Sequence, residues 1–200
     1  MLAIIDINSG NLGSLESALK KIDVKYKICK NVQDIGDIKK IILPGVGSFP
    51  NFVKNLKLNN FFDFLRTKTL SKEISILGIC VGFQALFSSS NEIEYTEGLG
   101  LINGHITGLN EKLILPHIGW NSCHQNRKSI LFNGIENDAD FYFCHSYAFQ
   151  KIDDSTSISN TNYKYDFVSA IEYQNIFGVQ FHPEKSQLNG LNILNNFSKL

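Results

Sequence analysis

The chain has 200 residues, 43% of them hydrophobic, and its 19 lysines and arginines balance its 19 aspartates and glutamates. This length predicts one domain, spanning residues 1–200, that buries about 70% of the surface of the unfolded chain. The balanced charge argues against binding to nucleic acid or to an anionic membrane. No segment approaches the roughly 18 uninterrupted apolar residues of a membrane span, so we expect a cytoplasmic globular protein.

The cysteine pattern argues against two common structural uses of this residue. No C-x-x-C pair is present, so the sequence predicts neither a zinc site nor a small disulfide scaffold. We expect reduced thiols in a cytosolic protein, and nothing in the sequence suggests a metal or an organic cofactor. The four cysteines are Cys29, Cys80, Cys123 and Cys144.

Strands and helices alternate in the first half of the chain. The apolar residues 2–7 predict a buried strand, and the early Asp6 argues against a signal peptide. The next predicted elements are a helix over residues 14–22, strands over 25–29 and 40–43, a helix over 60–68 and a strand that starts near residue 74. This order predicts a parallel sheet with helices between its strands.

After residue 90 the pattern changes to short alternating segments. Strands are predicted over residues 101–107, 113–115, 141–144, 167–173 and 176–180, with turn-rich segments that include 125–128 and 153–162. A last helix is predicted over residues 187–197. We expect antiparallel strands appended to the parallel core within one α/β domain.

The most informative segment covers residues 74–87. It opens as an apolar, β-branched strand and closes with apolar residues at helical spacing through residue 87. Between the two, Gly78 and Gly82 flank Cys80, which is the nucleophile-elbow pattern with sulfur in place of oxygen. Such a turn sets the sulfur at the first turn of a helix, where free N–H groups and the helix dipole favour a thiolate. A cysteine without this glycine frame is usually a small buried hydrophobe.

A second segment, over residues 176–186, carries a candidate base. A strand delivers His182 and Glu184, and a spacing of two puts both side chains on one face of an extended segment. Histidine activates the thiol and protonates the leaving amine, while a carboxylate beside it holds the ring in one tautomer. Cys80, His182 and Glu184 are therefore a candidate triad. Taken alone, His-Pro-Glu is more typical of a solvated turn, and His117 and His145 are more typical of structural histidines.

Gly-x-Cys-x-Gly-x-Gln at residues 78–84, followed by Gln-Phe-His-Pro-Glu at residues 180–184, resembles the class I (triad) glutamine amidotransferases. The resemblance covers essentially the whole chain. It implies a flavodoxin-like three-layer core with a mostly parallel central sheet and appended antiparallel strands. It also implies that Cys80, His182 and Glu184 hydrolyse glutamine to glutamate and ammonia.

Within that family the chain is most similar to the glutaminase subunits of imidazole glycerol phosphate synthases. The most specific part of this match is Pro-His-x-Gly-Trp-Asn at residues 116–121, and the other parts are residues 44–49, 98–104, 145–147 and 181–186. The resemblance implies histidine biosynthesis in a heterodimer with a cyclase subunit, a separate (β/α)₈ barrel. That partner receives ammonia through an internal tunnel and forms imidazole glycerol phosphate.

The resemblance also implies roles for further residues. The backbone N–H of Val81 and one from Val46 or Gly47 would bind the oxyanion. The residues that would surround the bound glutamine are Gln84, Glu92, His145, Ser146 and Tyr147. The residues that would lie at the tunnel mouth, against the partner, are Asn11, Trp120 and Lys185.

The first loop departs from the pattern of this family, which is Asp-Tyr-Gly-x-Gly-Asn-x-Arg. Residues 6–13 read Asp-Ile-Asn-Ser-Gly-Asn-Leu-Gly, without the tyrosine, the first glycine and the arginine. Because this loop would face the partner, the ammonia acceptor stays open between the histidine-pathway intermediate and a sugar that is amidated for a surface polysaccharide.

Two further alternatives belong to other classes. One is a non-catalytic subunit that only binds its barrel, which the complete triad argues against. The other is a cysteine peptidase on the same fold, which Gln84 and the His-Ser-Tyr segment at residues 145–147 argue against.

Overall fold

The structure, a computed structural model, describes residues 1–110, 112–151 and 154–200. Its helices are α1 (Leu12–Lys21), α2 (Phe49–Leu58), α3 (Phe61–Leu70), α4 (Val81–Gln84) and α5 (Gln187–Ser198), with short 3₁₀ helices at Val32–Asp34 and Pro183–Lys185. Its strands are β1 (Leu2–Ile5), β2 (Tyr26–Cys29), β3 (Lys40–Gly45), β4 (Ser75–Cys80), β5 (Phe87–Ser90), β6 (Thr96–Glu97), β7 (Ile102–Gly108), β8 (His117–Gln125), β9 (Ala139–His145), β10 (Tyr147–Ala148), β11 (Ser157–Asn162), β12 (Asp166–Tyr173) and β13 (Ile176–Val179).

One half of the main sheet is parallel. Its strands lie in the order β2-β1-β3-β4-β13, and every neighbouring pair runs in the same direction. Strands β1, β3 and β4 are almost entirely buried, which explains why they read as continuous apolar runs in the sequence. In sheets with this order, ligands bind at the carboxyl ends of the strands.

The other half of the main sheet is antiparallel. From β13 the sheet continues through β12, β11 and β8 to β9, and each of these pairs is antiparallel. A smaller sheet has the order β10-β7-β5-β6. The predicted α/β fold, with antiparallel strands added to a parallel core, is therefore confirmed.

Strands β4 and β13 lie side by side at the centre of the main sheet. Their register pairs Gly78 with Gly178 and Ile79 with Val179. A Cβ atom on Gly178 would lie 2.3 Å from Cδ2 of Phe83, so this glycine leaves the space that the Phe83 ring occupies. The pairing also brings the two informative segments of the sequence to the same edge of the sheet.

Two predictions in the first 120 residues are wrong. The sequence predicts that the helix after the elbow continues through residue 87, but α4 is a single turn and Phe87 begins β5. Carbonyl groups that a longer helix would use instead accept hydrogen bonds from Leu99 and Leu101, which fixes the chain in a turn. Residues 113–115 do not form a strand; Ile114 is 84% exposed, and its carbonyl accepts a hydrogen bond from the Tyr163 hydroxyl.

The turn-rich segment predicted over residues 153–162 is also partly wrong. Residue 153 lies outside the described residues, but Ser157–Asn162 is strand β11. Its buried polar residues find partners within the sheet, as in the 2.8 Å hydrogen bond between the hydroxyls of Ser159 and Ser169. Strand β8 is not among the predicted strands, although it contains most of the Pro-His-x-Gly-Trp-Asn segment.

In the ranges that the structure describes, none of the helices has the length and apolar character needed to cross a membrane.

Candidate active site

The elbow predicted at Cys80 is a tight strand-to-helix turn. Cys80 ends β4 with φ +54° and ψ −111°, a backbone conformation that is strained for a residue with a side chain. A Cβ atom on Gly82 would lie 1.9 Å from the carbonyl oxygen of Leu43, and one on Gly78 would lie 2.6 Å from the carbonyl oxygen of Gly82. Only glycine fits at either position, as the sequence pattern predicts.

The helix behind the sulfur is shorter than the sequence predicts. Because α4 contains only four residues, its dipole is small, and individual N–H groups matter more than the helix as a whole. Val81 is its first residue, so the backbone N–H of Val81 has no acceptor within the helix. Val81 and Cys80 both line the cavity described below, so this N–H is a candidate donor to an oxyanion.

The candidate base is placed by the neighbouring strand. Two residues beyond Gln180, the backbone N–H of His182 donates to the carbonyl of Tyr142 over 2.8 Å, which fixes the turn after β13. The sequence predicts an extended segment here, but Pro183–Lys185 forms a 3₁₀ turn. The turn still brings Glu184 to His182, whose Nδ1 is 2.8 Å from Glu184 Oε1.

The electrostatic environment keeps His182 protonated. Burial on its own lowers the pKa of His182, but the hydrogen bonds and charges of Cys80 and Glu184 outweigh it and raise the pKa to about 10. The carboxylate holds the ring on one side, and Cys80 and His182 line the same cavity. A protonated imidazole favours the thiolate form of a neighbouring cysteine, which is the nucleophilic form.

The second oxygen of Glu184 has no partner among the residues that the structure describes. The Glu184 side chain is 5% exposed, and its Oε2 is buried without a hydrogen bond to any of them. A cavity of about 310 Å³ lies behind this carboxylate and is lined by residues of α1 and α5, among them Ser14, Ser17 and Lys21. Glu184 is thus fixed through one oxygen only, the one that holds His182.

A cavity of about 160 Å³ opens in front of the sulfur at the carboxyl ends of the strands. It contains almost all of the residues that the sequence predicts for the site. Its lining residues are Val46, Gly47, Cys80, Val81, Gln84, Glu92, Cys144, His145, Ser146, Tyr147, His182 and Lys185. Glu184 stands behind His182, while Asn11 and Trp120 do not line this cavity.

The predicted partner-facing residues lie outside or at the rim of this cavity. Trp120 is 48% exposed and packs edge-on against the ring of Tyr142, with 6.1 Å between the ring centroids. The Nζ atom of Lys185 lies 5.4 Å from the centroid of the same ring. Asn11 is exposed at the start of α1.

The residues predicted to surround glutamine are held firmly. Glu92 accepts a hydrogen bond from the backbone N–H of Phe49 over 2.8 Å, and burial raises the pKa of Glu92. The Nε2 atom of Gln84 donates both to the carbonyl of Tyr147 at 2.8 Å and to Oε1 of Gln180 at 3.0 Å. Both hydrogens of the Gln84 amide are thus used, and only its oxygen remains for a ligand.

Two buried histidines form part of the cavity wall and its support. Burial lowers the pKa of His145 to about 3 and that of His117 to about 4, so both rings are neutral at pH 7. His145 Nδ1 donates to the carbonyl of Tyr147, and His145 Nε2 accepts from Nδ1 of His117 over 3.1 Å. These rings are poor acid–base catalysts at neutral pH, in agreement with the structural role favoured for them by the sequence.

The loop predicted to complete the oxyanion site is not arranged for that role. The backbone N–H of Val46 donates to the carbonyl of Ser9 over 2.8 Å, so it is not available to a ligand. Gly47 has φ +96°, and a Cβ atom added there would have no other atom within 4 Å. The other candidate donor in this loop, the backbone N–H of Gly47, takes no part in this hydrogen bond to Ser9.

Sequence reasoning missed two groups beside the sulfur. The carbonyl of Cys144 and Nε2 of Gln180 each lie 3.8 Å from the Cys80 sulfur. The sequence places Gln180 only in a strand, although it belongs to the same Gln-Phe-His-Pro-Glu segment as the base. The signal that could have found it is the parallel pairing of the two strands, which sets Gln180 opposite Cys80.

Comparison with known proteins identifies the family. The family model described as "Glutamine amidotransferase class-I" matches residues 3–199. The chain is 41% identical over 202 residues to imidazole glycerol phosphate synthase subunit HisH 1 of Campylobacter jejuni subsp. jejuni serotype O:23/36, and the match covers 100% of both chains. It is 41% identical to subunit HisH of Sulfurimonas denitrificans, with 100% of this chain and 98% of that protein covered.

Solved structures share the fold at low sequence identity. A crystal structure of a glutamine amidotransferase aligns with a TM-score of 0.78 at 14% identity, covering 98% of this chain and 97% of that one. The structure of PurLQS from Thermotoga maritima aligns with a TM-score of 0.76 at 18% identity, covering 98% and 96%. The match to the family model over residues 3–199 and the relatives at 41% identity lead to one conclusion: the chain belongs to the class-I glutamine amidotransferase family.

Proposed function

We propose that this chain is a glutaminase subunit that hydrolyses glutamine and passes the ammonia to a cyclase partner for the synthesis of imidazole glycerol phosphate. The observation that carries the proposal is that Cys80 and His182 line one cavity, with Nδ1 of His182 held 2.8 Å from Oε1 of Glu184. The names of the full-length relatives support the pathway.

The proposed reaction has two halves. The sulfur of Cys80 attacks the carboxamide carbon of glutamine as a thiolate, because Nε2 of His182 already holds the proton. The imidazolium then gives this proton to the leaving nitrogen, so that ammonia departs and a thioester remains. A water molecule, deprotonated by His182, attacks the thioester and releases glutamate and the free thiol. Glu184 stays ionised throughout and orients the ring.

Substrate recognition follows from the groups that line the cavity. Because both hydrogens of the Gln84 amide are used internally, Gln84 offers an acceptor oxygen to a ligand ammonium or amide. We infer that Glu92, Ser146, Tyr147 and His145 form the rest of the glutamine site. Val81 N–H and, after loop movement, an N–H from Val46 or Gly47 would bind the oxyanion.

The partner is proposed to be a (β/α)₈-barrel cyclase in a cytoplasmic heterodimer. The exposed surface that carries Trp120, Tyr142 and Lys185 adjoins the rim of the catalytic cavity. Tryptophan and tyrosine are enriched among the residues that anchor protein interfaces. We propose that this surface and Asn11 contact the barrel, so that ammonia leaves the cavity into the partner.

Replacement of the nucleophile tests the proposal. In the complex with the cyclase, Cys80→Ala is expected to abolish synthesis from glutamine, whereas synthesis from added ammonium salts survives because the cyclase is intact. His182→Ala is expected to be as damaging, since members of a triad act as a unit. Both activities are measured by product formation, and loss of both in Cys80→Ala would contradict ammonia transfer.

A matched control is a cysteine far from the site. Cys29 lies on β2 and is buried, so Cys29→Ala changes the thiol content without touching the cavity. It should retain both activities. The acceptor is tested separately, because complementation of a histidine auxotroph by the chain and its cyclase supports the histidine pathway. Failure of complementation by a complex that is active as a glutaminase would favour the sugar acceptor.

A further inference from the structure

One buried side chain beside the sulfur has no part in the reaction described above. Strands β4 and β13 pair Ile79 with Val179, and the next residues along the two strands are Cys80 and Gln180. Gln180 is 0% exposed, and its Nε2 lies 3.8 Å from the Cys80 sulfur. A buried amide requires hydrogen-bond partners, so its contact with the sulfur has an energetic consequence.

The direction of this hydrogen bond is set by its neighbours. The carbonyl of Tyr147 only accepts, so the group of Gln84 that lies 2.8 Å from it is the NH₂. The other hydrogen of that NH₂ points to the second amide, 3.0 Å away, which must present its oxygen Oε1. The NH₂ of Gln180 therefore faces the sulfur and donates to it.

The sulfur has a different partner in each of its protonation states. As a thiol, Cys80 donates its hydrogen to the carbonyl of Cys144, 3.8 Å away. Once the proton has moved to His182, the sulfur has no hydrogen to donate to that carbonyl, whereas it still accepts from the NH₂ of Gln180. Hydrogen bonds to ions are about twice as strong as those between neutral groups, and the site is buried.

We infer that Gln180 is a positioning residue for the nucleophile: its carboxamide, oriented by Gln84, donates to the Cys80 sulfur and stabilises the thiolate relative to the thiol. This inference rests on the proposed function, because it assigns a further role at the same sulfur. It adds a hydrogen-bond donor from the strand that leads to His182 to the backbone N–H donors of the elbow at Cys80. The same donor limits rotation of the sulfur within the cavity.

The test is the pH dependence of the alkylation of Cys80 by iodoacetamide in the full chain. The thiolate is the reactive form, so the rate follows the ionised fraction. Trypsin separates Cys80 from the exposed Cys144, because cleavage after Lys112 and Lys128 leaves them in different peptides, which mass spectrometry resolves. Burial raises the pKa of Cys123 to about 12, which keeps that thiol unreactive.

In Gln180→Leu, the midpoint of the curve is expected to rise by about one to two pH units, the effect of losing a hydrogen bond to a charged group. The rate at pH 7 should fall roughly tenfold or more, while the rates at high pH converge with those of the wild type. A loss caused only by altered packing would lower the rate at every pH. Gln125→Leu is the matched control, because that amide binds two backbone carbonyls at the far end of β8.

A midpoint of Gln180→Leu that coincides with the wild type, in a variant with an unchanged circular dichroism spectrum, would overturn the inference. If Gln180→Leu does not fold, the pH dependence of Cys80 alkylation is measured on Gln84→Met instead. It removes the group that orients the Gln180 amide, so an upward shift supports the inference and an unchanged midpoint refutes it. The assay needs neither glutamine nor the partner. An absence of glutaminase activity in the complex would therefore refute the proposed function without altering this result.

Discussion

The two sides of the catalytic cavity are built differently. On one side, Cys80 and His182 are almost fully buried, and the base is held at 2.8 Å by Glu184. On the other side, Val46 is 41% exposed and directs its N–H to the carbonyl of Ser9, while Gly47 has a positive φ and open surroundings. The chain alone thus brings the proposed nucleophile and base together, but leaves the proposed oxyanion site incomplete.

This difference motivates a hypothesis about control of the reaction. Glycine makes alternative backbone states accessible at little cost, so the Val46 and Gly47 segment is the part of the site that is able to rearrange. We expect the bond from Val46 to Ser9 to break when the partner carries its ligand, which frees a donor for the oxyanion. Equal rates of glutamine hydrolysis with and without that ligand would refute the hypothesis.

The largest effect is expected from a substitution on the side of the cavity that holds Cys80 and His182, which we call the rigid side. In Gly82→Ala, the new Cβ would lie 1.9 Å from the carbonyl of Leu43, and backbone is unable to yield as a side chain would. We expect the free energy of unfolding to fall by about 3 kcal/mol, the upper range for overpacking. Urea denaturation of the isolated chain measures this.

The control for that variant is a glycine in open space. A Cβ atom on Gly13 would have no atom within 4 Å, and Gly13 lies within α1. Gly13→Ala should therefore be neutral or stabilising by about 0.5–1 kcal/mol, because alanine restricts the unfolded chain. Equal destabilisation by the two changes would show that the elbow is less tightly packed than the structure indicates.

The second prediction concerns the charge held on the rigid side. The pKa of His182 is raised from 6.5 to about 10 in the folded chain. Its contribution to stability is therefore fully present below pH 6.5 and is lost as the pH rises towards 10. Relative to His182→Asn, the wild type should lose on the order of 2 kcal/mol of unfolding free energy between pH 7 and pH 10.

Denaturation curves of both proteins at several pH values measure this difference. Titrating groups remote from the site are present in both chains and cancel, so the difference reports His182 together with Cys80 and Glu184, which raise its pKa. A difference that stays constant with pH would mean that His182 is neutral in the folded chain. The base would then have to be protonated by the thiol only during the reaction.

The smallest expected effect concerns the side that is able to rearrange. Gly47 has φ +96°, so Gly47→Ala should cost about 1 kcal/mol of stability through backbone strain alone. We expect a larger fractional effect on glutamine turnover in the complex, about tenfold or less, because the substitution restricts the states that this loop adopts. Glutamate release in the complex measures it.

Gly36→Ala is the matched control for the loop. Gly36 also has a positive φ, +55°, and open space around it, but it lies away from the catalytic cavity. It should show a similar loss of stability and unchanged turnover. If both variants behave alike in turnover, the Val46 and Gly47 loop has no special part in the reaction.

The parts of the site that the sequence predicts are those in which the cause is local. Gly78 and Gly82 flank Cys80 because the backbone of the turn itself excludes side chains, and this constraint is visible in five consecutive residues. The buried parallel strands are visible for a similar reason, since both of their faces need apolar residues. The alternation of strands and helices then gives the fold class.

The parts that the sequence does not predict depend on distant partners. Residues Ser157–Asn162 are polar and resemble a loop, yet neighbouring strands satisfy their buried hydroxyls. The bond from Val46 to Ser9 and the donor at Gln180 arise from contacts between separate segments. The short α4 is similar, because its end is decided by hydrogen bonds from residues after β6.

Because β4 is paired with β13, the distance between the Cys80 sulfur and the His182 ring depends on the number of residues between the start of β13 and His182. From Ile176 to Val179 the chain advances by about 3.3 Å per residue along the sheet, and His182 follows three residues later. Deleting one residue there would turn every following side chain to the opposite face and carry the imidazole away from the sulfur. Surface loops tolerate changes of length because the entropic cost of closing a loop grows only slowly with its length. We therefore expect the length of this segment to matter for the proposed catalysis as much as the identity of the groups at its end.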